Sequence, residues 1–256
     1  IDGYRADAAH SVPTDFWEDI AADLREVKPV FMLAEAESPK ELFHNAFAMG
    51  YNWEGHHIMN SIAQGDKTAK DWDDYMQKVD STFQEDDFLM NFVTNHDENS
   101  WAGTVEERMG DASEAMLAMT YTLPGMPLIY SGQEYDMNKR LEFFVKDTIP
   151  KKKGKVYPLL EKLGKLKTSS VALHGGKSAA SYIDVETSAD EKVLAFKREK
   201  NGKTLYYIAN MTAEPVEFSA DLEGDFTDYM SDSEMKLTKD QQMSFKGWEY
   251  RILINK

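Results

Sequence analysis

The 256-residue sequence contains no cysteine. That absence excludes a disulfide framework, a cysteine-ligated zinc centre and a thiol nucleophile. It leaves the compartment open, because a chain that buries a large core needs no covalent staples. No apolar stretch approaches the ~20 residues that a helix needs to cross a bilayer. Positive charge is also scarce: 29 Lys and Arg stand against 45 Asp and Glu, a formal net charge of −16. Affinity for nucleic acid comes mostly from neutralising phosphates with cationic side chains, so this balance argues against such a partner. A neutral ligand is not repelled, and the same acidity serves plain solubility. The only basic run, Lys151-Lys152-Lys153, sits between Pro150 and Gly154 and reads as a solvated loop.

What is present suffices for a core: 42% of residues are hydrophobic and 12% aromatic, more than a disordered chain carries. Through residue 174, short apolar runs alternate with amphipathic helices. Phe16, Trp17, Ile20, Ala21, Leu24 and Val27 recur at helical spacing behind Thr14, a candidate N-cap. Val30 to Ala34, Ala46 to Trp53, Phe88 to Thr94 and Pro127 to Tyr130 read as strands, those around Val30 and Phe88 buried on both faces. Between and after them, helices carry Trp72, Tyr75, Met76, Val79 and Phe83, then run from about Ala112 to Leu123, then carry Leu159, Leu160, Leu163 and Leu166. Repeated βα units predict a parallel sheet with helical cover. Beyond Gly175-Gly176 the pattern becomes short alternating strands: Ser181 to Val185, Val193 to Arg198, Thr204 to Ala209, Val216 to Phe218 and Tyr250 to Ile254. Asn201-Gly202 marks a two-residue hairpin. Two domains follow, 1–174 and 175–256, the second antiparallel.

Three acids share one context. Asp7 ends the run Gly3-Tyr4-Arg5-Ala6-Asp7, Glu35 ends Met32-Leu33-Ala34-Glu35, and Asp97 ends Thr94-Asn95-His96-Asp97. In a parallel barrel all strand C-termini open onto one face, where active sites lie. The three carboxylates therefore converge, although 28 and 62 residues separate successive ones in sequence (35 − 7 and 97 − 35). Hydrolysis of a glycosidic bond uses two such groups, one as nucleophile or base and one as proton donor. At the ~5.5 Å of a retaining pair, two charges repel by about 3 kcal/mol at an effective dielectric near 20. That is enough to raise one carboxyl by about two pKa units. Arg5 lies on the same side of its strand as Asp7 and can orient it. A strand-end Asp or Glu taken alone is more often a cap or an ion-pair partner; the arrangement of three is what carries the reading. Tyr4 and Tyr130 read as core residues.

Gly3-Tyr4-Arg5-Ala6-Asp7-Ala8-Ala9-His10 resembles the β4 motif of the α-amylase family. Glu35 stands where that family has its β5 acid, and Asn95-His96-Asp97 is similar to its β7 motif. Gly125-x-Pro127-x-x-Tyr130-x-Gly132-x-Glu134 resembles the β8 segment. The resemblance implies an α/β fold. Residues 1–174 would form the C-terminal five βα units of a (β/α)8 TIM barrel, and 175–256 an antiparallel Greek-key β-sandwich domain that includes Trp248-Glu249-Tyr250. It makes Asp7 the nucleophile, Glu35 the acid/base, and Asp97 the residue that holds sugar hydroxyls and stabilises the transition state. Arg5 would orient Asp7, and His96 would bind the sugar. His10 falls where the family binds sugar, or calcium through its backbone, although Ala9-His10 replaces the family's frequent Lys-His pair. Trp53, His56 and His57 either line the cleft or pack a loop, and Trp101 is either a sugar platform or a loop anchor.

The implied activity is retaining hydrolysis of α-1,4-linked glucans such as starch and maltodextrins, by double displacement. Alternatives are transglycosylation on the same substrates, or a non-catalytic interaction subunit like the heavy chains of amino-acid transporters. A pure carbohydrate-binding module is a third, remote reading. No cofactor is required by the resemblance, no side-chain metal ligands are assigned, and a structural calcium is possible. The family's Asp…Asn-His segment on β3 is absent, as are strands β1–β3. A full barrel takes about 250 residues. The expected partners are therefore an α-glucan and the missing N-terminal barrel strands of the same polypeptide, without which this piece is expected to be inactive. The compartment is left undetermined, an extracytoplasmic one being favoured.

Overall fold

Strand order in the first sheet follows chain order, because each strand returns to a parallel neighbour through a helical crossover. The structure, a computed structural model, describes residues 1–84 and 86–255. The last residue of the expected 175–256 domain thus lies outside the described residues. The strands are β1 (Gly3–Ala6), β2 (Phe31–Ala34), β3 (Met49–Tyr51), β4 (Phe88–Asn91) and β5 (Met126–Pro127), in the order β1-β2-β3-β4-β5. Register sets the site. Arg5 pairs with Leu33 and Ala6 with Ala34, so Asp7 and Glu35 leave neighbouring strands at one level, tied by Glu35 N–H donating to Ala6 O at 2.9 Å.

The covering helices are α1 (Thr14–Val27), α2 (Leu42–Asn45), α3 (Trp53–Ala63), α4 (Ala69–Thr82), α5 (Val105–Met109), α6 (Ser113–Thr122) and α7 (Val156–Ser169). Pro13, with its fixed backbone, occupies the N-cap of α1. Its carbonyl takes the first helical bond from Trp17 N–H, which moves Thr14 from the expected cap to the first helical residue. Trp17, Ala21 and Leu24 of α1 pack against Ala6, Met32, Ala34, Phe43 and Phe47. α6 is buried continuously from Ala115 to Thr122, because it lies between the two halves of the molecule.

The second half holds a six-stranded antiparallel sheet and a two-stranded one. The larger contains β6 (Ser181–Asp184), β7 (Val193–Lys200), β8 (Lys203–Asn210), β10 (Gly224–Asp228), β11 (Ser233–Leu237) and β13 (Tyr250–Asn255), ordered β11-β10-β13-β8-β7-β6. The smaller pairs β9 (Val216–Phe218) with β12 (Met243–Phe245). The hairpin between β7 and β8 turns at Asn201 (φ 53°) and Gly202 (φ 72°), the positive-φ pair that a type I′ turn demands. β7 and β8 are apolar on both faces. Leu194, Phe196, Leu205 and Tyr207 join the helical core of Trp72, Met116, Met119 and Leu163, while Val193, Ala195 and Ile208 face Phe218, Phe226 and Phe245. The Tyr207 hydroxyl donates to Ala115 O at 2.8 Å, closing the contact with α6.

One buried cation fastens the two halves. Arg198, fully buried, donates to Thr122 O (2.8 Å), Ser181 O (3.0 Å), Ala180 O (3.2 Å) and His174 O (3.3 Å). Thr122 O is a last-turn carbonyl of α6, one of the groups a helix leaves unpaired at its negative end. Burial pulls the guanidinium down to about 10, so it remains charged at neutral pH. Arg198→Ala strands several buried carbonyls at about 1–3 kcal/mol each. We expect it to cost about 3 kcal/mol or more, read as a lower urea midpoint at unchanged m-value. A loss under about 1 kcal/mol would mean that the carbonyls find other partners.

Candidate active site

Arg5 gathers the ends of three strands. Alternation along β1 puts Arg5 and Asp7 on one side, and Arg5 Nη1 lies 2.5 Å from Asp7 Oδ1. Its other terminal nitrogen, Nη2, lies 2.5 Å from Glu35 Oε1 beyond β2. Nε donates to the Tyr51 hydroxyl of β3 at 3.3 Å, with the guanidinium 5.7 Å from the Tyr51 ring centroid. The second oxygen of Glu35 accepts from Ala8 N–H at 2.8 Å, which requires the left-handed backbone of Ala8 (φ 42°). Glu35 is thus fixed through both oxygens and only 13% exposed, while Asp7 is 80% exposed. The Arg5 hydrogen bond, the largest influence, holds Asp7 below the ordinary carboxylate range. One carboxyl is kept ionised and open, the other sheltered beside it.

Asp97 arrives from β4. The Asn95 side chain accepts from Asp97 N–H (3.0 Å) and Glu98 N–H (2.8 Å), a local turn that fixes the direction of Asp97. A π-helical turn, Glu98–Ala102, follows directly, a distortion common at functional sites. His96 Nε2 lies 3.5 Å from Asp97 Oδ2. Ligand-capable atoms of Glu35, His96 and Asp97 lie within 4.8 Å of one another. Behind them, buried His56 on α3 puts Nε2 2.9 Å from Glu98 Oε2 and Nδ1 3.0 Å from Phe92 O. That contact with His56 holds Glu98 below its usual range. Arg108, also buried, donates to Asn60 Oδ1 (2.7 Å) and Val93 O (2.8 Å).

Arg5, Asp7, Glu35, His96 and Asp97 therefore meet. His10 does not join them; exposed on the turn Ala9–Ser11, it lines an open cleft of about 470 Å³ with Ala8, Glu35, Glu37 and Trp53. Trp53 is thus on the cleft, stacked on His57 at 6.1 Å, whereas His56 belongs to the packing beneath. Tyr4, expected in the core, is 43% exposed, because the described sheet places nothing beyond β1. Tyr130 is half-buried; burial first, and the Asp97 charge second, push its hydroxyl up. Sequence reading missed Tyr51 and Glu37. Burial raises the Glu37 carboxyl, which accepts from Glu54 N–H at 2.7 Å and lies 3.1 Å from the Tyr75 hydroxyl. The alternation Glu35-Ala36-Glu37 beyond β2 was the available signal.

The carbonyls of Ala8 and Ala9 accept from Ser11 N–H, Val12 N–H and Trp17 Nε1–H. The one ligand-like group of three among the described residues is Glu35, His96 and Asp97, and Arg5 already sits against Glu35.

The sequence matches the alpha-amylase catalytic-domain model over residues 1–213. The alpha-amylase MalA of Haloarcula japonica is 22% identical over 234 residues, 90% of this chain and 34% of that protein. A cyclomaltodextrinase of Thermoanaerobacter pseudethanolicus is 24% identical over 246 residues, 88% of this chain and 40% of its own length. The chain thus spans between a third and two-fifths of these curated relatives. Among solved structures, the noncanonic maltogenic alpha-amylase AmyB of Thermotoga neapolitana superposes with a TM-score of 0.86 at 21% identity, over 100% of this chain and 61% of that one. An alpha-amylase from Lactobacillus plantarum gives 0.82 at 23% identity, over 99% and 62%. A parallel sheet under helices, followed by an antiparallel β-domain, is the architecture shared with these structures. With most of its length matched to that catalytic domain, the chain belongs to the α-amylase family of glycoside hydrolases.

Proposed function

We propose that this chain carries the catalytic centre of a retaining hydrolase of α-1,4-linked glucans, starch and maltodextrins. The observation that carries the reading is one guanidinium holding two carboxyls of adjacent strand ends, with Asp97 and His96 beside them. A retaining enzyme needs one ionised carboxylate and one protonated carboxyl side by side. Arg5 favours the ionised form of Asp7, and we assign the proton-donor role to Glu35 at the adjacent strand end.

In the first step Asp7 attacks the anomeric carbon as the bond to the leaving oxygen breaks, and Glu35 gives that oxygen its proton. The product is a glycosyl ester on Asp7. Glu35, now a carboxylate, takes a proton from water, whose oxygen attacks the same carbon and releases Asp7. A sugar hydroxyl in place of water gives transglycosylation from the same ester. Asp97 and His96 hold ring hydroxyls as the sugar distorts, and His10 and Trp53 border the leaving-group side. These steps need carboxyls and water, and none passes through a metal.

The remaining strands belong to the proposal. β1 and β5 are the edges of the described sheet, and Tyr4, Phe31, Met126 and Ile129 on or beside them are exposed. Apolar edges of this kind invite pairing. We assign residues 1–174 to the last five units of an eight-stranded barrel, with the first three supplied by the same polypeptide. Residues 175–256 are then its Greek-key β-domain.

Two outcomes follow. Arg5 stabilises the charged form of Asp7, so its contribution is present above the ordinary carboxylate pKa and lost as pH falls through the lowered one. Arg5→Gln should move the Asp7 titration upward in carbon-13 NMR, and the acid limb of activity with it; an unmoved titration would refute the assignment. Asp7→Asn, in the intact polypeptide, should abolish turnover of an α-glucoside while leaving binding largely in place. Retention of more than about a tenth of the activity would put the nucleophile elsewhere.

A further inference from the structure

A backbone carbonyl can only accept a hydrogen bond and a backbone N–H can only donate one. Each therefore fixes the direction of any side-chain network that ends on it. Such a network runs beneath the cleft, across the ends of β3 and β4. Buried Asn91 donates through Nδ2 to Pro124 O at 2.8 Å, which leaves its Oδ1 to accept from Asn52 Nδ2 at 2.7 Å. Asn52, the buried N-cap of α3, then turns Oδ1 toward Gly55 N–H at 3.0 Å and the Tyr75 hydroxyl at 2.5 Å. The Pro124 carbonyl at one end and the Gly55 N–H at the other demand the same orientation of the Asn52 amide.

The Tyr75 hydroxyl has one proton and two oxygens within reach. Asn52 Oδ1 is the nearer and can only accept, so it takes that proton. Glu37 Oε1 stands 3.1 Å from the same hydroxyl, and a second hydrogen bond forms there only if the carboxyl supplies the proton. Its other oxygen, Oε2, accepts from Glu54 N–H at 2.7 Å. Burial, the largest influence on this carboxyl, raises it, and the Glu54 charge acts the same way. The opposing cation, Lys78 of α4, is already paired with Glu54 at 2.5 Å. On the cleft side stand Glu35, bridged to Arg5, and His10.

The groups that Glu37 holds reach the carboxylate site. Glu54 follows Trp53 in the first turn of α3. Trp53 borders the cleft beside Glu35 and packs on Tyr51 with ring centroids 5.6 Å apart, and Tyr51 accepts from Arg5.

We propose that Glu37 is a neutral carboxylic acid that donates to Tyr75 and accepts from Glu54 N–H. It is a positioning residue, fixing the Trp53 wall of the cleft and, through Tyr51, the brace on Arg5. The proton follows from the network itself, whereas the effect on activity rests on the reading of the site as a hydrolytic centre.

The test compares Glu37→Gln and Glu37→Ala with the wild type in the intact polypeptide carrying this chain. Glutamine keeps an N–H for Tyr75 and an oxygen for Glu54 N–H, and it cannot ionise. A raised carboxyl contributes stability that is fully present below its ordinary pKa and lost as pH rises through the raised one. Glu37→Gln should therefore melt with the wild type at about pH 4 and above it by about 2 °C or more at about pH 8. A glutamine variant that melts below the wild type at about pH 8, or level with it at both pH values, overturns the neutral carboxyl. On maltoheptaose, Glu37→Gln should keep kcat/KM within about twofold of the wild type, while Glu37→Ala loses about tenfold, mainly in kcat. Equal losses in the two variants, or no loss in Glu37→Ala, overturn the positioning role and leave the hydrolase reading standing. If the wild type hydrolyses no α-glucan, the hydrolase reading fails and the positioning role with it, while the melting temperatures still decide the proton.

Discussion

Everything at the candidate site depends on one cation placed between two carboxyls. Left alone, Asp7 and Glu35 would repel by a few kcal/mol at contact distances, a large fraction of the 5–15 kcal/mol that holds a typical domain together. Arg5 removes that conflict by bridging both, at 2.5 Å to each, in the forked geometry that only a guanidinium offers. The bridge also divides the pair: the exposed Asp7 is held ionised, and the sheltered Glu35 is pinned by Ala8 N–H. Its position is inherited from the backbone, because the parallel register of β1 and β2 delivers Asp7 and Glu35 to the same level.

Around this centre the fold supplies rigidity from distant parts of the chain. Tyr51 of β3 braces Arg5, and His56 of α3 braces Glu98, the residue after Asp97. Beneath both, one helical core runs from Trp72 through α6 into Phe196 and Tyr207 of the antiparallel sheet. Arg198 closes the seam between the two halves with four carbonyl contacts. The β-domain therefore steadies α6 and α7, which in turn back the strands that present the carboxylates.

Much of this was legible in the sequence, for identifiable reasons. Buried parallel strands read as unbroken apolar runs, so an acid at the end of such a run stands out; Asp7, Glu35 and Asp97 were visible on that ground. Period-two spacing put Arg5 beside Asp7. Other elements were hidden. α3 was not read as a helix because Gly55, His56 and His57 interrupt its apolar periodicity, and His56 is buried by a partner 42 residues away. β10 to β12 are short and interleaved with charge, so their alternation is weak. Tyr4 was read as core, yet burial needs a neighbouring strand beyond β1, which is not among the described residues. Tyr51 acts through a long-range contact to which no local pattern points, whereas Glu37 was signalled only by its alternation with Glu35.

The central claim is that Asp7 is the atom donor to a covalent sugar ester. The most direct measurement is to incubate the intact polypeptide with a fluorinated α-glucosyl fluoride whose ester hydrolyses slowly, digest it, and sequence the labelled peptide by mass spectrometry. The account predicts one glucosyl-type adduct, on Asp7 in the segment Gly3-Tyr4-Arg5-Ala6-Asp7. An adduct on Glu35 or Asp97, or turnover of the reagent with no covalent species at any residue, would contradict it.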